Sequence, residues 1–575
     1  MRPLIISCLA LAVAAGCAQK YAETRPEPAA EPQAQPIAAN ESDALLERIE
    51  VSGSRLRRSD LRAQEYSRDQ YSAMPSPAAP PASFIGSVTQ MPMPSPANTE
   101  RYAEITDNGI VRTADNPVST FSIDVDTGSY SNVRRMLAQG QLPPKDAVRV
   151  EEMINYFDYG YAGPASRKQP FQVTTELAPA PWNGKRMLLQ VGLQGYQVDA
   201  SQIPAKNLVF LIDTSGSMYS ADKLPLLQES FRQLVPQLRA QDRVAIVVYA
   251  GSAGLVLPPT PGDRHGEILA ALDQLRAGGS TNGGAGIELA YAMAKQSFVA
   301  NGVNRILLAT DGDFNVGTVD QRALETRVER GRKDGIALST LGFGQGNYNE
   351  ALAEKLADIG NGNYAYIDQL SEARKVLVDE MSSTLLTIAG DVKIQVEFNP
   401  AMVAEYRLIG YENRQLARED FNNDKVDAGE LGAGHNVTAL YEISLVGMGG
   451  EASDPLRYGT AQPLEGRGLE LANLKLRYKL PGSDSSVLVE RPITRRDVKV
   501  QPAESLRFAA AVAAYADLLR GGENMNGFTW DQVEALARGA RGEDRWGYRA
   551  EFLQLLAQAR SLSAAQAADI AIHHE

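Results

Sequence analysis

Cysteine and histidine are scarce in this chain. Its 575 residues include two cysteines, Cys8 and Cys17, and four histidines, His265, His435, His573 and His574. No Cys-x-x-Cys or His-x-x-x-His pair occurs. The ligands for a Cys/His zinc site are therefore missing, as is a Cys–His nucleophile pair. Excess positive charge is also absent. The net charge of −13 repels phosphate backbones and argues against nucleic acid as a partner. Long apolar runs are missing too, apart from Leu4 to Ala15 near the N-terminus, which is too short to span a bilayer. No Ser/His/Asp constellation suggests a hydrolase. What remains is an ordinary globular composition, 44% hydrophobic and 22% charged, on a chain long enough for two to four domains.

The first twenty residues read MRPLIISCLALAVAAGCAQK. Arg2 gives a short positive region, the apolar run follows, and Ala14, Ala15 and Gly16 precede Cys17. This resembles a bacterial lipobox, with residues 1–16 removed and Cys17 carrying acyl chains such as palmitate; the alternative is an ordinary secretory signal. Several acyl chains would anchor the protein stably, at about 0.8 kcal/mol per buried CH₂. Ala18 stands where Asp would favour inner-membrane retention. By similarity to Gram-negative lipoproteins, the expected location is the cell envelope, at the outer membrane.

Residues 17–104 form an Ala/Pro-rich stretch, with segments such as RPEPAAEPQAQP and MPSPAAPPAS. Such composition cannot bury enough apolar surface to fold, and it reads as a disordered tether. One island interrupts it, LLERIEVSGSRLRRSD at residues 45–60. It reads as a solvated basic patch, although it also resembles the plug-domain start of TonB-dependent receptors.

Asp126-Thr127-Gly128-Ser129 matches the aspartic-protease signature. That chemistry needs two carboxylates sharing a proton, and no second Asp-Thr-Gly occurs. The following SNVRRMLAQG reads as a helix, so the expectation is strand, turn, helix.

From residue 205 the pattern changes. The apolar runs LVFLI (208–212), VAIVVYA (244–250), RILLAT (305–310), IALSTLGFG (336–344) and NYAYI (363–367) alternate with helical stretches. Uninterrupted apolar strands between helices indicate a parallel sheet covered on both faces. Ligands bind such sheets beyond the carboxyl ends of the strands. Asp213, Ser215 and Ser217 directly follow the first strand as Asp-x-Ser-x-Ser. Thr281 lies in the glycine-rich GGSTNGGAG, and Asp311 ends RILLAT. Oxygen donors of this kind suit a hard cation.

These five positions resemble the metal-ion-dependent adhesion site of the von Willebrand factor type A (VWA) family. The resemblance implies that Ser215, Ser217 and Thr281 coordinate the cation directly and that Asp213 and Asp311 act largely through water. The implied cation is Mg²⁺, with Mn²⁺ or Ca²⁺ as alternatives. One coordination position would stay open for an Asp or Glu of a protein partner.

Outside this domain, FQVTTELA and RMLLQVGLQG alternate like strands, as do VKIQVEF, AEYRLIGYE, NVTALYEISL, NLKLRYKL and SVLVE. Asp420, Asn422 and Asp424 have calcium-loop spacing, but Lys425 and Leu431 occupy the positions that need Gly and Glu, so a turn is expected. The fold class expected is multidomain α/β plus β, with a doubly wound, Rossmann-like VWA domain inserted in a β-sandwich and a helical C-terminal region. The expected divisions are an N-terminal module (105–165), sandwich strands (166–204), the VWA domain (205–372), a connecting helix (373–390), the rest of the sandwich (391–500) and the helical region (501–575). Strands at 171–178 and 186–195 should pair with strands after residue 390, since two strands alone bury too little surface.

The lipobox, the 118–160 segment, the VWA pattern and FNNDKVDAGELGAGHNVTALYEI together resemble the YfbK-like family of bacterial VWA lipoproteins. The resemblance implies a membrane-anchored, cell-envelope protein-binding module rather than an enzyme. The alternatives are an envelope hydrolase or protease, and an accessory subunit of an AAA-type ATPase system.

Overall fold

The computed structural model describes residues 100–279, 283–312, 321–346, 348–453 and 469–574. Cys17, Thr281, the signal segment and the 17–99 part of the tether lie outside them.

The continuous apolar runs form one six-stranded sheet. Its order is Tyr364–Ile367, Ala337–Phe343, Val303–Thr310, Lys206–Asp213, Arg243–Tyr249 and Ala253–Pro261, parallel except for the last pair. The central strand Lys206–Asp213 is buried along its whole length, which is why its sequence is apolar without alternation. Leu208, Phe210 and Ile212 share an apolar core with Leu227 and Phe231 of helix Leu224–Leu234. The rings of Phe210 and Phe231 stack 4.2 Å apart. Helix Gly283–Gln296 packs directly against Lys206–Asp213 and Arg243–Tyr249.

The alternating strands form two further sheets, joined by one apolar core. One runs Val111–Arg112, Val403–Ile409, Asn436–Leu445, Asn183–Gly195, Phe171–Ala180. The other runs Gly429–Gly432, Thr387–Phe398, Glu470–Lys479, Ser486–Thr494. The pairing expected across the inserted domain is present: Asn183–Gly195 lies antiparallel to Asn436–Leu445, from Met187↔Ile443 to Gln194↔Asn436. The VWA sheet is thus inserted between strands of a sandwich that neither flank could complete alone.

The N-terminal segment is woven into this architecture rather than set beside it. Val118–Ser122 pairs with Thr387–Phe398, and Val111–Arg112 with Val403–Ile409. Helix Gly128–Ala138 packs on the edge strand Tyr364–Ile367, where Ser131 Oγ donates to the Tyr366 carbonyl at 2.7 Å. The C-terminal helices Glu504–Leu519, Trp530–Arg538 and Tyr548–His574 bury their apolar faces against this helix, helix Val150–Asn155 and the outer face of the first sandwich sheet. Phe157 sits at the centre of that core, edge-on to Tyr130, Phe508 and Phe552.

The single connecting helix expected over 373–390 is corrected. Two short helices, Leu370–Arg374 and Met381–Leu385, flank a π-helical turn at Lys375–Asp379. Glu380 interrupts the run: its side chain accepts from Lys375 at 2.6 Å, and its carbonyl accepts the Ser383 hydroxyl at 2.7 Å. From Thr387 the chain is a strand paired with Gly429–Gly432. The β-branched Thr387 and Ile388 suit that pleated position better than a helix. Among the described residues, no helix is long and apolar enough to cross a membrane.

Candidate metal centre

Asp213 is the last residue of the central strand, and Asp311 follows directly on the neighbouring strand Val303–Thr310. The parallel register sets Ile212 opposite Ala309, so both carboxylates emerge at the same sheet end. Both residues are fully buried, Ser215 is buried, and Ser217 is exposed. The chain after Asp213 turns tightly: Ser215 N–H donates to Asp213 Oδ1 at 2.8 Å, and the hydroxyls of Ser215 and Ser217 lie 2.9 Å apart. Gly216 N–H donates to the Gly279 carbonyl at 3.0 Å, and Gly278 N–H to the Thr214 carbonyl at 2.8 Å. These bonds fasten the serine turn to the loop leading into Thr281. Four of the five expected site residues therefore converge at one sheet end, and Thr281 lies outside the described residues.

The donor set is two carboxylates and two hydroxyls, with no nitrogen or sulfur, and it fits a hard divalent cation. A cationic group already sits at the site: Lys223 Nζ donates to Asp311 Oδ2 at 2.8 Å. Burial pushes the Asp213 carboxyl up to about 6, against the hydrogen bonds from Ser215. Gly312, at φ +88°, makes the turn beyond Asp311 possible, since a Cβ there would lie 2.3 Å from the Asn349 nitrogen. Gly312 N–H donates to Thr310 Oγ1, which reaches toward Asp213 Oδ2. The Tyr249 phenol lies close to Asp213, and burial, then the charge of Asp213, push its ionisation upward. Sequence reasoning missed Lys223, Tyr249 and Thr310, because each supports the site from another element or from inside a strand.

Asp126-Thr127-Gly128-Ser129 is the strand, turn and helix start that its flanks predict, with the strand ending at Ser122 and the helix opening at Gly128. Asp126 is buried and accepts from the Tyr364 backbone N–H at 2.8 Å. Gly128 is required by close approach, because a Cβ would lie 2.2 Å from the Tyr364 ring.

This segment belongs to a buried charge network that the sequence did not reveal. Arg414 contacts Asp124 at 3.1 Å, Asp126 at 3.5 Å, Glu354 at 3.3 Å and Asp358 at 2.9 Å. Arg149 contacts Glu152 at 3.2 Å, Glu350 at 3.4 Å and also Glu354. Asp124, Glu152 and Glu354 bring carboxylate oxygens within 4.8 Å of one another. Burial pushes Asp126 and Glu152 up and Glu350 up to about 7, while Asp358 sits at the network's exposed end. The network ties the N-terminal segment to VWA helix Glu350–Ile359 and to the sandwich loop carrying Arg414.

A parallel sheet whose central strand ends in Asp-x-Ser-x-Ser, beside a strand ending in Asp, defines a VWA domain, a fold that serves protein–protein interaction and adhesion. Family models agree: von Willebrand factor type A domain matches residues 207–380, von Willebrand factor residues 96–190, and "Uncharacterized protein YfbK, C-terminal" residues 383–562. YfbK of Escherichia coli (strain K12) is 53% identical over 467 residues, 80% of each chain, and the present chain belongs to the YfbK family of VWA proteins. Inter-alpha-trypsin inhibitor heavy chain H4 of Homo sapiens is 30% identical over 194 residues, 32% of this chain and 20% of that one. Among solved structures, a von Willebrand factor type A protein from Catenulispora acidiphila covers 67% of this chain and 89% of its own at 15% identity, with a TM-score of 0.39.

Proposed function

We propose that this protein is a lipid-anchored cell-envelope binding protein whose divalent-cation site captures an acidic side chain of a protein partner. The observation that supports this reading is the convergence of Asp213, Ser215, Ser217 and Asp311 at one sheet end, with Ser217 open to solvent. Mg²⁺ is the proposed cation, and Thr281 is its proposed fifth protein contact. When bound, the cation supplies an electrophilic position for an outside carboxylate. The chain's own residues do the rest. The two carboxylates offset its charge, the serine turn presents hydroxyls toward solvent, and the backbone bonds to Gly278 and Gly279 hold the loops in register. Acylation at Cys17 would keep the domain at the membrane, in the proposed outer-membrane location.

The test is affinity capture from envelope extracts in Mg²⁺ against EDTA, using the native chain, Asp213→Ala and Asp311→Ala. Partner capture should require Mg²⁺ and disappear in both variants. Circular dichroism should change little in Asp213→Ala, while Asp311→Ala, which removes the carboxylate beside the buried Lys223 ammonium, should keep its fold with a lowered melting temperature. Divalent-dependent capture that survives both substitutions would overturn the assignment.

A further inference from the structure

Lys223 introduces a positive charge into a site built to hold another. Its side chain is 8% exposed, and its ammonium lies 2.8 Å from Asp311 Oδ2, which is fully buried. Two features fix it there. Lys223 sits at the start of helix Leu224–Leu234, where its backbone N–H donates to the Ser220 carbonyl and its carbonyl accepts from Leu227. Its stem runs under Gly344, at φ +74°, where a Cβ would fall 2.3 Å from Cγ and 2.4 Å from Cε. The Gly344 carbonyl is in turn held by the Tyr366 hydroxyl at 2.5 Å. A buried ammonium costs several kcal/mol to desolvate unless it is paired. The protein nevertheless spends on this pairing one of the two carboxylates that the described residues bring to the site.

We infer that Lys223 is a resident counter-charge that weakens cation binding and keeps the loaded site electropositive toward a partner carboxylate. The inference rests on the metal-site reading above and deepens it. Asp213, Asp311 and Lys223 together carry one negative charge. A divalent cation brings the group to one positive charge, whereas without Lys223 it would be neutral. A neutral loaded site attracts an anion only at short range, through the exposed cation itself, whereas a net positive one adds a longer-range attraction. Lys223 therefore acts with opposite sign on the two steps: it opposes entry of the cation and favours capture of the carboxylate. One unit charge at about 10 Å and an effective dielectric near 20 already changes a binding constant roughly tenfold, and closer approach gives more.

The test uses the full chain and small probes. Mg²⁺ affinity is measured by calorimetry, and acetate binding by the loss of water relaxivity at protein-bound Mn²⁺. Lys223→Met and Lys223→Gln are compared with the native chain, and Asp213→Asn serves as the metal-site control. Glutamine removes the charge but can still donate to Asp311. Both Lys223 variants should bind Mg²⁺ at least fivefold more tightly and acetate at least fivefold more weakly. If Lys223→Met fails to fold, as judged by its melting transition, Lys223→Gln alone decides. A glutamine variant with native affinities would make Lys223 a hydrogen-bonding prop for Asp311 and overturn the inference. Native protein that binds no Mg²⁺, or binds it undiminished as Asp213→Asn, would instead remove the metal-site reading and the Lys223 inference with it.

Discussion

Removing one guanidinium tests whether the buried charge network fastens the domains together. In Arg149→Met the stem volume is kept and the charge is lost. Arg149 is 3% exposed in its side chain, Glu152 and Glu350 are fully buried, and Glu354 is 9% exposed. Deleting one partner of a buried pair costs about 3–5 kcal/mol, because the other is left charged and dry. Here Glu152 and Glu350 lose their cation while Glu354 keeps Arg414, so the upper half of that range is expected at pH 8. For a domain-sized cooperative unit this lowers the melting temperature by roughly 10 °C. The penalty has a ceiling, since the carboxylates can take up protons. Burial already pushes Glu350 up to about 7 and Glu152 well up, and loss of Arg149 pushes both further. At pH 5 Glu350 is protonated with or without Arg149, and the melting difference should shrink to about half or less. Scanning calorimetry of both proteins at pH 5 and pH 8 is the measurement. A variant melting within about 1 °C of the native chain at pH 8, or a difference unchanged between the two pH values, would refute the reasoning.

Burial, and then the Glu151 charge, push Glu412 up to about 8. A raised carboxyl contributes stability that is fully present below its unfolded value near 4.3 and is lost as pH rises through the folded value. The melting temperature should therefore fall between pH 5 and pH 8.5, and Glu412→Gln should stabilise the protein at pH 8.5 but not at pH 5. Gly331 lies against the Tyr291 ring, where a Cβ would sit 2.0 Å away, so Gly331→Val should destabilise the VWA domain by about 3 kcal/mol or more in urea unfolding. A fragment of residues 391–500 lacks the strands Phe171–Ala180 and Asn183–Gly195 and should give no cooperative melt by circular dichroism. Cys17→Ser should move the protein from membrane pellets to the soluble fraction, and mass spectrometry of the native chain should find acylation at Cys17.

The elements, and the polar positions that gather at one sheet end, are written in the local sequence. The runs LVFLI and ILLA, within strands Lys206–Asp213 and Val303–Thr310, are continuously apolar because helices cover both faces, and that pattern is local. The polar residues ending those strands fall where a parallel sheet opens its crevice, so Asp213, Ser215, Ser217 and Asp311 are legible from local pattern alone. Alternation likewise marked the sandwich strands, and the need to cover each apolar face linked 183–195 to 436–445 across the inserted domain. The helix break at Glu380 escaped notice because a few β-branched residues carry less weight than a helical period, until strand pairing at Thr387 decides between them. Which charges meet depends on the folded chain. Arg149 with Glu350, Arg414 with Asp124 and Lys223 with Asp311 are separated by 88 to 290 residues. A charged residue in a sequence looks the same whether it faces water or a buried partner, and no local pattern records the pairing. Topology brings those faces together, and burial then makes each pair matter, because a charge removed from water must find its opposite or give up its ionisation.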